Sequence, residues 1–107
     1  MSDKLIWQRV ETAAMFCTQI TGKHLTGGGL EFVIYPNGRI SGTADGQKFS
    51  GSWVWRDGFF CRKSELDGED LGLDCEVIEI SDGRMRYTRD KGMGDTAIVE
   101  IGKIVPG

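Results

Sequence analysis

An amide or acid followed by glycine recurs along this chain: Pro36-Asn37-Gly38, Asp45-Gly46, Asp57-Gly58 and Asp82-Gly83, with Gly92-Met93-Gly94-Asp95 ending the series. Asn-Gly and Asp-Gly are the preferred two-residue hairpin connections, because both central residues of such a turn take positive φ. A chain punctuated in this way folds into short antiparallel strands. With a longer polar loop expected from Asp67 to Asp74, the signals separate seven candidate strands. These are residues 30–35 (LEFVIY), 39–44 (RISGTA), 48–56 (KFSGSWVWR), 59–66 (FFCRKSEL), 74–80 (DCEVIEI), 84–90 (RMRYTRD) and 96–105 (TAIVEIGKIV). Lys23 to Thr26 is a candidate eighth. Sixteen glycines in 107 residues fit so many turns.

Ahead of the strands, Ile6, Val10, Ala13, Ala14, Cys17 and Ile20 recur at the three- and four-residue steps of a helix. The spacing predicts one amphipathic helical segment over about 3–21, strongest from Glu11 to Ile20. Asp3 suits its first turn, and Gly22 with Lys23 suits its end. Leu5 to Trp7 has a short strand as its alternative. At 107 residues the chain makes a single domain over 1–107, with the β-meander over about 23–105. Strands joined in order by tight turns form a meander, and closing it removes the exposed edges of an open sheet. The expected fold is therefore mainly β: an antiparallel up-and-down meander closing into a barrel of seven or eight strands, with the N-terminal α-helix plugging or covering one end. An open, curled sheet wrapped on the helix is the competing architecture.

Several function classes are disfavoured by composition. A net charge of -3 without a block of like charges lacks the basic footprint that binds nucleic acid. Apolar runs such as 13–17 and 97–99 fall short of the roughly 20 residues that span a bilayer, so no membrane span is expected. The start MSDKLIWQRV has no signal-peptide pattern. The expected location is the cytoplasm, or outside it had a leader been removed. Three cysteines and one histidine form neither a disulfide framework nor a zinc spacing, and no metal or cofactor is expected. Cys17, Cys61 and Cys75 read first as small buried hydrophobes. The alternative pairs Cys61 with Cys75 across a sheet.

Two tryptophans and two phenylalanines flank the Asp57-Gly58 turn, and the period of two puts Phe49, Gly51, Trp53 and Trp55 on one face of their strand. Pairing across that turn sets Trp55 against Phe60 and Trp53 against Arg62. Arg62 thereby joins the inward face, where it is placed to stack on an indole and requires an anion. Across Asp82-Gly83 the same arithmetic sets Ile80 against Met85, Ile78 against Tyr87 and Glu76 against Arg89. Glu76 becomes a candidate internal partner for a strand arginine. The other face pairs Glu79 with Arg86 and Val77 with Thr88, which suits water.

GKHL, YPNGRISGTADGQKFSGSWVWRDGFFCR, LGLDC and RYTRDKGMGD together resemble a group of small, mostly uncharacterised bacterial proteins with a lipocalin-like or avidin-like (calycin-type) β-barrel. The resemblance covers about Gly22 to Ile101 and rests on turn and core motifs. It implies a fold more than a function. In true lipocalins Gly-x-Trp stands near the start of the first strand, whereas here it is mid-chain, and no binding residue is carried over.

Two functional expectations follow. A non-catalytic barrel would hold a small apolar or anionic ligand among Trp53, Trp55, Phe60, Arg62 and Tyr87, unless these side chains only fill the core. Alternatively the barrel is filled and serves as a protein-interaction or homodimerisation module, since Ile98 and Ile101 fall on opposite faces of the last strand. Catalysis has little support. The acidic stretch ELDGEDLGLD lacks the calcium-loop register, TGGG lacks the Lys-Ser/Thr of a phosphate loop, and no nucleophile accompanies His24. Low thiol pKa at Cys61 beside Arg62 would be opposed by apolar burial.

Overall fold

The structure, a computed structural model, describes residues 6–106. Nine strands and one α-helix follow in order, with a short 3-10 turn at Asp90–Gly92 before the last strand: β1 (Gln8–Arg9), α1 (Ala13–Gln19), β2 (Lys23–Gly27), β3 (Leu30–Ile34), β4 (Arg39–Ala44), β5 (Gln47–Arg56), β6 (Phe59–Leu66), β7 (Glu69–Ser81), β8 (Arg84–Thr88) and β9 (Thr96–Ile104). Strands β2 to β9 pair with their neighbours in sequence, and β9 returns to pair with β2. The result is a closed antiparallel barrel of eight strands with β1 as an extra strand. Closure supplies a hydrogen-bonding partner along both sides of every barrel strand, which the open sheet would lack.

The predicted registers hold where a two-residue turn sets them. Trp53 faces Arg62 and Trp55 faces Phe60 across the β5–β6 hairpin. Ile80 faces Met85 and Ile78 faces Tyr87 across the β7–β8 hairpin. Asp45, Asp57 and Asp82 take positive φ, as do the glycines that follow them. Strand β8 ends at Thr88, so Arg89 has no ladder position opposite Glu76.

Two of the expected element boundaries also fail. The polar loop over 67–74 is a tight Asp67-Gly68 turn, with φ of 50° and 86°, followed at once by a strand of 13 residues. Lys63 still pairs with Leu73, but Glu65 pairs with Asp70, so β7 holds one extra residue opposite β6. Gly72, at φ 83°, lies in this bulge. An inserted residue breaks the alternation of faces, and the segment therefore has no strand period to recognise.

The helix is also shorter than the segment 3–21, of which Asp3 lies outside the described residues. It begins at Ala13, where the Thr12 hydroxyl accepts from the Met15 N–H at 3.1 Å. An N-cap of this kind fixes the first turn. Upstream, Gln8 and Arg9 pair with Ile80 and Glu79. The pairing between β6 and β7 stops at Phe60 and Glu76, and β1 takes up the side of β7 that lies beyond. Tertiary pairing thus overrides the helical spacing from Ile6 to Val10. At the other end, the Lys23 ammonium donates to the Gln19 carbonyl at 3.0 Å, and Gly22, two residues past the Ile20 C-cap, takes φ 75°.

α1 packs into one end of the barrel. Phe16 is fully buried, with its ring 5.1 Å from each of Trp53, Trp55 and Phe60. Val10, Ile20, Leu25, Ile34, Ile78, Met85 and Val99 continue this core. Curling eight strands this tightly needs close backbone approach at particular points. A Cβ at Gly42 would run into the Glu31 carbonyl, and one at Gly51 into the Lys63 carbonyl.

On the outer wall Glu79 and Arg86 form the expected cross-strand ion pair at 2.9 Å, and Arg86 also lies over the Trp7 ring. Cys61 and Cys75 are joined as a disulfide between facing positions of β6 and β7. The first reading of these two cysteines as unlinked core residues is thereby corrected. Facing positions on adjacent antiparallel strands bring their Cβ atoms within bonding reach. No described helix is long and apolar enough to cross a membrane.

Candidate ligand-binding cavity

The inward faces of the strands do not fill the barrel. Beyond the cluster around Phe16 lies a cavity of about 190 Å³, open at the end away from the helix. Its wall is apolar: Phe32, Ile34, Ile40, Phe49, Phe60 and Met85 surround the body of the space, and Leu30, Ala44, Leu66 and Leu71 stand toward the mouth. Leu71 reaches this wall because the bulge at Gly72 reverses the alternation of β7, and it remains half exposed.

Arg62, Ser64, Glu76, Tyr87 and Arg89 interrupt the apolar wall. The Arg62 guanidinium donates to Ser64 Oγ at 3.1 Å and to Glu76 Oε2 at 3.4 Å. Only 3% of the Glu76 side chain and 13% of the Arg62 side chain are exposed. Both charges are therefore largely removed from water, yet their contact is longer than the 2.7–2.9 Å of a strong charge-assisted bond. The Glu76 carboxyl is pushed up from 4.5 to about 6. Burial is the main cause; the Arg62 charge opposes it, the Asp74 charge adds to it, and the Arg89 charge opposes it. Burial, followed by the Glu76 charge, also raises the Tyr87 phenol above its usual value.

A pH dependence follows from Glu76. A carboxyl that holds its proton more tightly when folded favours folding most below its unfolded pKa of 4.5, and loses that contribution as the pH rises through about 6. The loss amounts to about 2 kcal/mol, taking 1.36 kcal/mol per pKa unit. Glu76→Gln keeps the shape of the protonated form and removes the titration. Urea denaturation of both proteins between pH 4.5 and 7 is expected to show the wild type losing about 1.6 kcal/mol relative to the variant, since part of the full effect already lies below pH 4.5. A constant difference across that range would mean that Glu76 keeps its water.

Of the residues singled out in the sequence, Phe60, Arg62 and Tyr87 line the cavity. Trp53 and Trp55 lie at the closed end against Phe16. The Trp53 indole N–H donates to the Tyr35 carbonyl at 2.8 Å, a backbone acceptor at the rim and not an interior polar group. The Trp55 indole nitrogen is buried without a partner among the described residues. Arg62 turns to Ser64 and Glu76, whereas the cation–π contacts of the described residues involve Arg9, Arg86 and Lys91.

Ser64, Glu76 and Arg89 also line the cavity; none of them is among the ligand contacts expected from the sequence, although Glu76 and Arg89 are expected there as an internal pair. Ser64 shares the face of Phe60 and Arg62 by simple alternation, a signal that was present. Arg89 lies just beyond the end of β8, so its expected ladder pairing with Glu76 is absent, yet it borders the same cavity and its charge reaches Glu76. Its segment is fastened to β7, since the Asp90 N–H donates to Asp74 Oδ1 and Oδ2 at 3.1 and 3.4 Å. Set against protein-family models, curated proteins and solved structures, the chain matches none.

Proposed function

We propose that this protein is a non-catalytic binding barrel for one small molecule, apolar over most of its body and polar or anionic at one end. The observation that carries this reading is the unfilled interior: an apolar-walled cavity with one open end and an arginine–glutamate pair in its wall. Apolar pockets with a few convergent polar groups are the usual form of small-molecule sites. The volume sets the scale of the ligand. An apolar cavity of about 150 Å³ accepts benzene, so about 190 Å³ suits a single ring or a short chain.

The barrel and its turn motifs support kinship with lipocalin-like or avidin-like proteins. The disulfide favours an oxidising compartment over the cytoplasm, because thiols in the cytoplasm are kept reduced. A second reading, homodimerisation, draws on Ile98, 47% exposed on the outside of β9 and not covered by the helix.

The test is native mass spectrometry of the protein purified without denaturation, followed by thermal unfolding with 1-hexanol and with hexanoate. A small-molecule mass lost on denaturation, or a ligand-dependent rise in Tm, is expected. A monomer of bare sequence mass that neither compound stabilises would overturn the binding reading. A bare dimer with the same insensitivity would transfer function to the outer wall.

A further inference from the structure

We propose that the cavity takes a small amphipathic monocarboxylate by ion exchange: the ligand carboxylate occupies the Arg62 guanidinium in place of Glu76, and Glu76 takes up a proton as it is displaced. The inference rests on the binding reading above and specifies its ligand class and its regulation.

The geometry of the Arg62–Glu76 pair favours the exchange. Among the described residues Arg62 uses one donor on Ser64 and one on Glu76, the latter at 3.4 Å. A guanidinium presents five N–H donors in a planar fork, and its preferred partner is a carboxylate held by two parallel bonds. The contact with Glu76 leaves that preference unmet. A ligand entering from the mouth meets Arg62 in the cavity wall, beside a phenol and a second arginine that can also serve an anion.

Charge balance acts in the same direction. The groups facing the Glu76 carboxyl are Arg62 and Ser64 from β6, Tyr87 from β8 and Arg89 from the segment after it, with Asp74 two residues away on β7 itself. With Glu76 ionised, an incoming carboxylate at Arg62 would set two anions side by side where the Glu76 and Arg62 side chains are only 3% and 13% exposed, with Arg89 as the one further cation on the cavity wall. Two carboxylates in that position hold a proton between them, because like charges cannot both remain ionised at close range. Of the two, Glu76 already binds its proton the more readily, with a value of about 6, above that of an ordinary carboxylic acid in water. The proton comes from solvent. No covalent bond other than O–H forms, and the net charge added to the cavity is zero.

The shape of the cavity suits the same ligand. Phe32, Ile40, Phe49 and Met85 leave an apolar space beside Arg62 that suits a short acyl chain or one ring. Inorganic anions would leave that surface empty.

The experiment is isothermal titration calorimetry of the whole protein with hexanoate at pH 7, in two buffers of different ionisation enthalpy, with 1-hexanol as the neutral control. Hexanoate is expected to bind with uptake of about one proton per molecule, and its affinity to rise by up to about tenfold for each pH unit between pH 8 and 6. Glu76→Gln is expected to bind hexanoate without proton uptake and with a flat pH profile. The measurement on the wild type stands even if that variant fails to fold. Hexanoate binding without proton uptake in the wild type would overturn the exchange. Binding of hexanol but not hexanoate would overturn the anionic ligand class and leave the binding barrel standing. If neither bound, the binding reading itself would fall.

Discussion

Phe16→Ala is expected to lower the stability of the fold by about 3–5 kcal/mol, as deletion of a fully buried aromatic ring does. Phe16 is the side chain by which the helix enters the barrel, and it touches both tryptophans of β5 as well as Phe60. The loss has two parts: the transfer free energy of the ring, and the cavity left between three rings anchored on neighbouring strands. Those rings cannot collapse inward without moving the sheet. Urea denaturation monitored by tryptophan fluorescence measures the change and reports on the same cluster. Trp53→Ala removes part of the same packing, so the double variant is expected to lose less than the sum of the single losses. A loss below about 1 kcal/mol for Phe16→Ala would mean that the helix does not seal the barrel.

Removing the disulfide is the second large effect. Cys61 and Cys75 are 14 residues apart in sequence, and their bond ties the β6–β7 hairpin in the unfolded chain as well as in the folded one. In the chain-entropy account, a loop of about this length is worth roughly 3 kcal/mol. Cys61→Ala with Cys75→Ala, or reduction of the wild type, is expected to lower Tm by roughly 10 °C or more, since about 1 kcal/mol shifts a domain of this size by 4–8 °C. Ellman titration of the unfolded, unreduced protein should find one thiol, that of Cys17. Three thiols, or an unchanged Tm on reduction, would contradict the bond or its contribution.

The hairpin also forms part of the mouth of the cavity. Leu66 and Leu71 stand at its open end, while the disulfide and the Asp74–Asp90 contact hold β7 further along. A binding site of this kind depends on strand curvature, and the bulge at Gly72 brings Leu71 onto the cavity wall. Replacement of the bulge by regular pairing would turn that leucine outward, because a shift of one residue exchanges the two faces of a strand.

What could be read along the chain was local. Asp45-Gly46, Asp57-Gly58 and Asp82-Gly83 prescribe two-residue turns, and a two-residue turn leaves only one register for the strands it joins. The pairs Trp53 with Arg62 and Ile78 with Tyr87 follow from that alone. The alternation of faces then directs Phe60, Arg62 and Tyr87 inward. Asp67-Gly68 carries the same turn signal, yet Glu69, Asp70 and the bulged Gly72 surround it with residues that have no strand period.

The division between the two levels is physical. Turn chemistry and a period of two act between residues close in sequence, so the chain by itself determined the antiparallel meander, its hairpin registers and the inward face. Closure of β9 on β2, capture of residues 8–9 by β7 and the entry of Phe16 into one end are contacts between distant segments. The closed barrel with a helix at one end is the favoured expectation, but only the tertiary structure decided between it and an open sheet, set residues 8–9 on β7 and sent Phe16 inward. With that settled, so was which inward side chains pack against the helix and which border an open cavity. Trp53 and Trp55 share the inward face with Phe49, but the helix occupies their end of the barrel, and the space remains at the other.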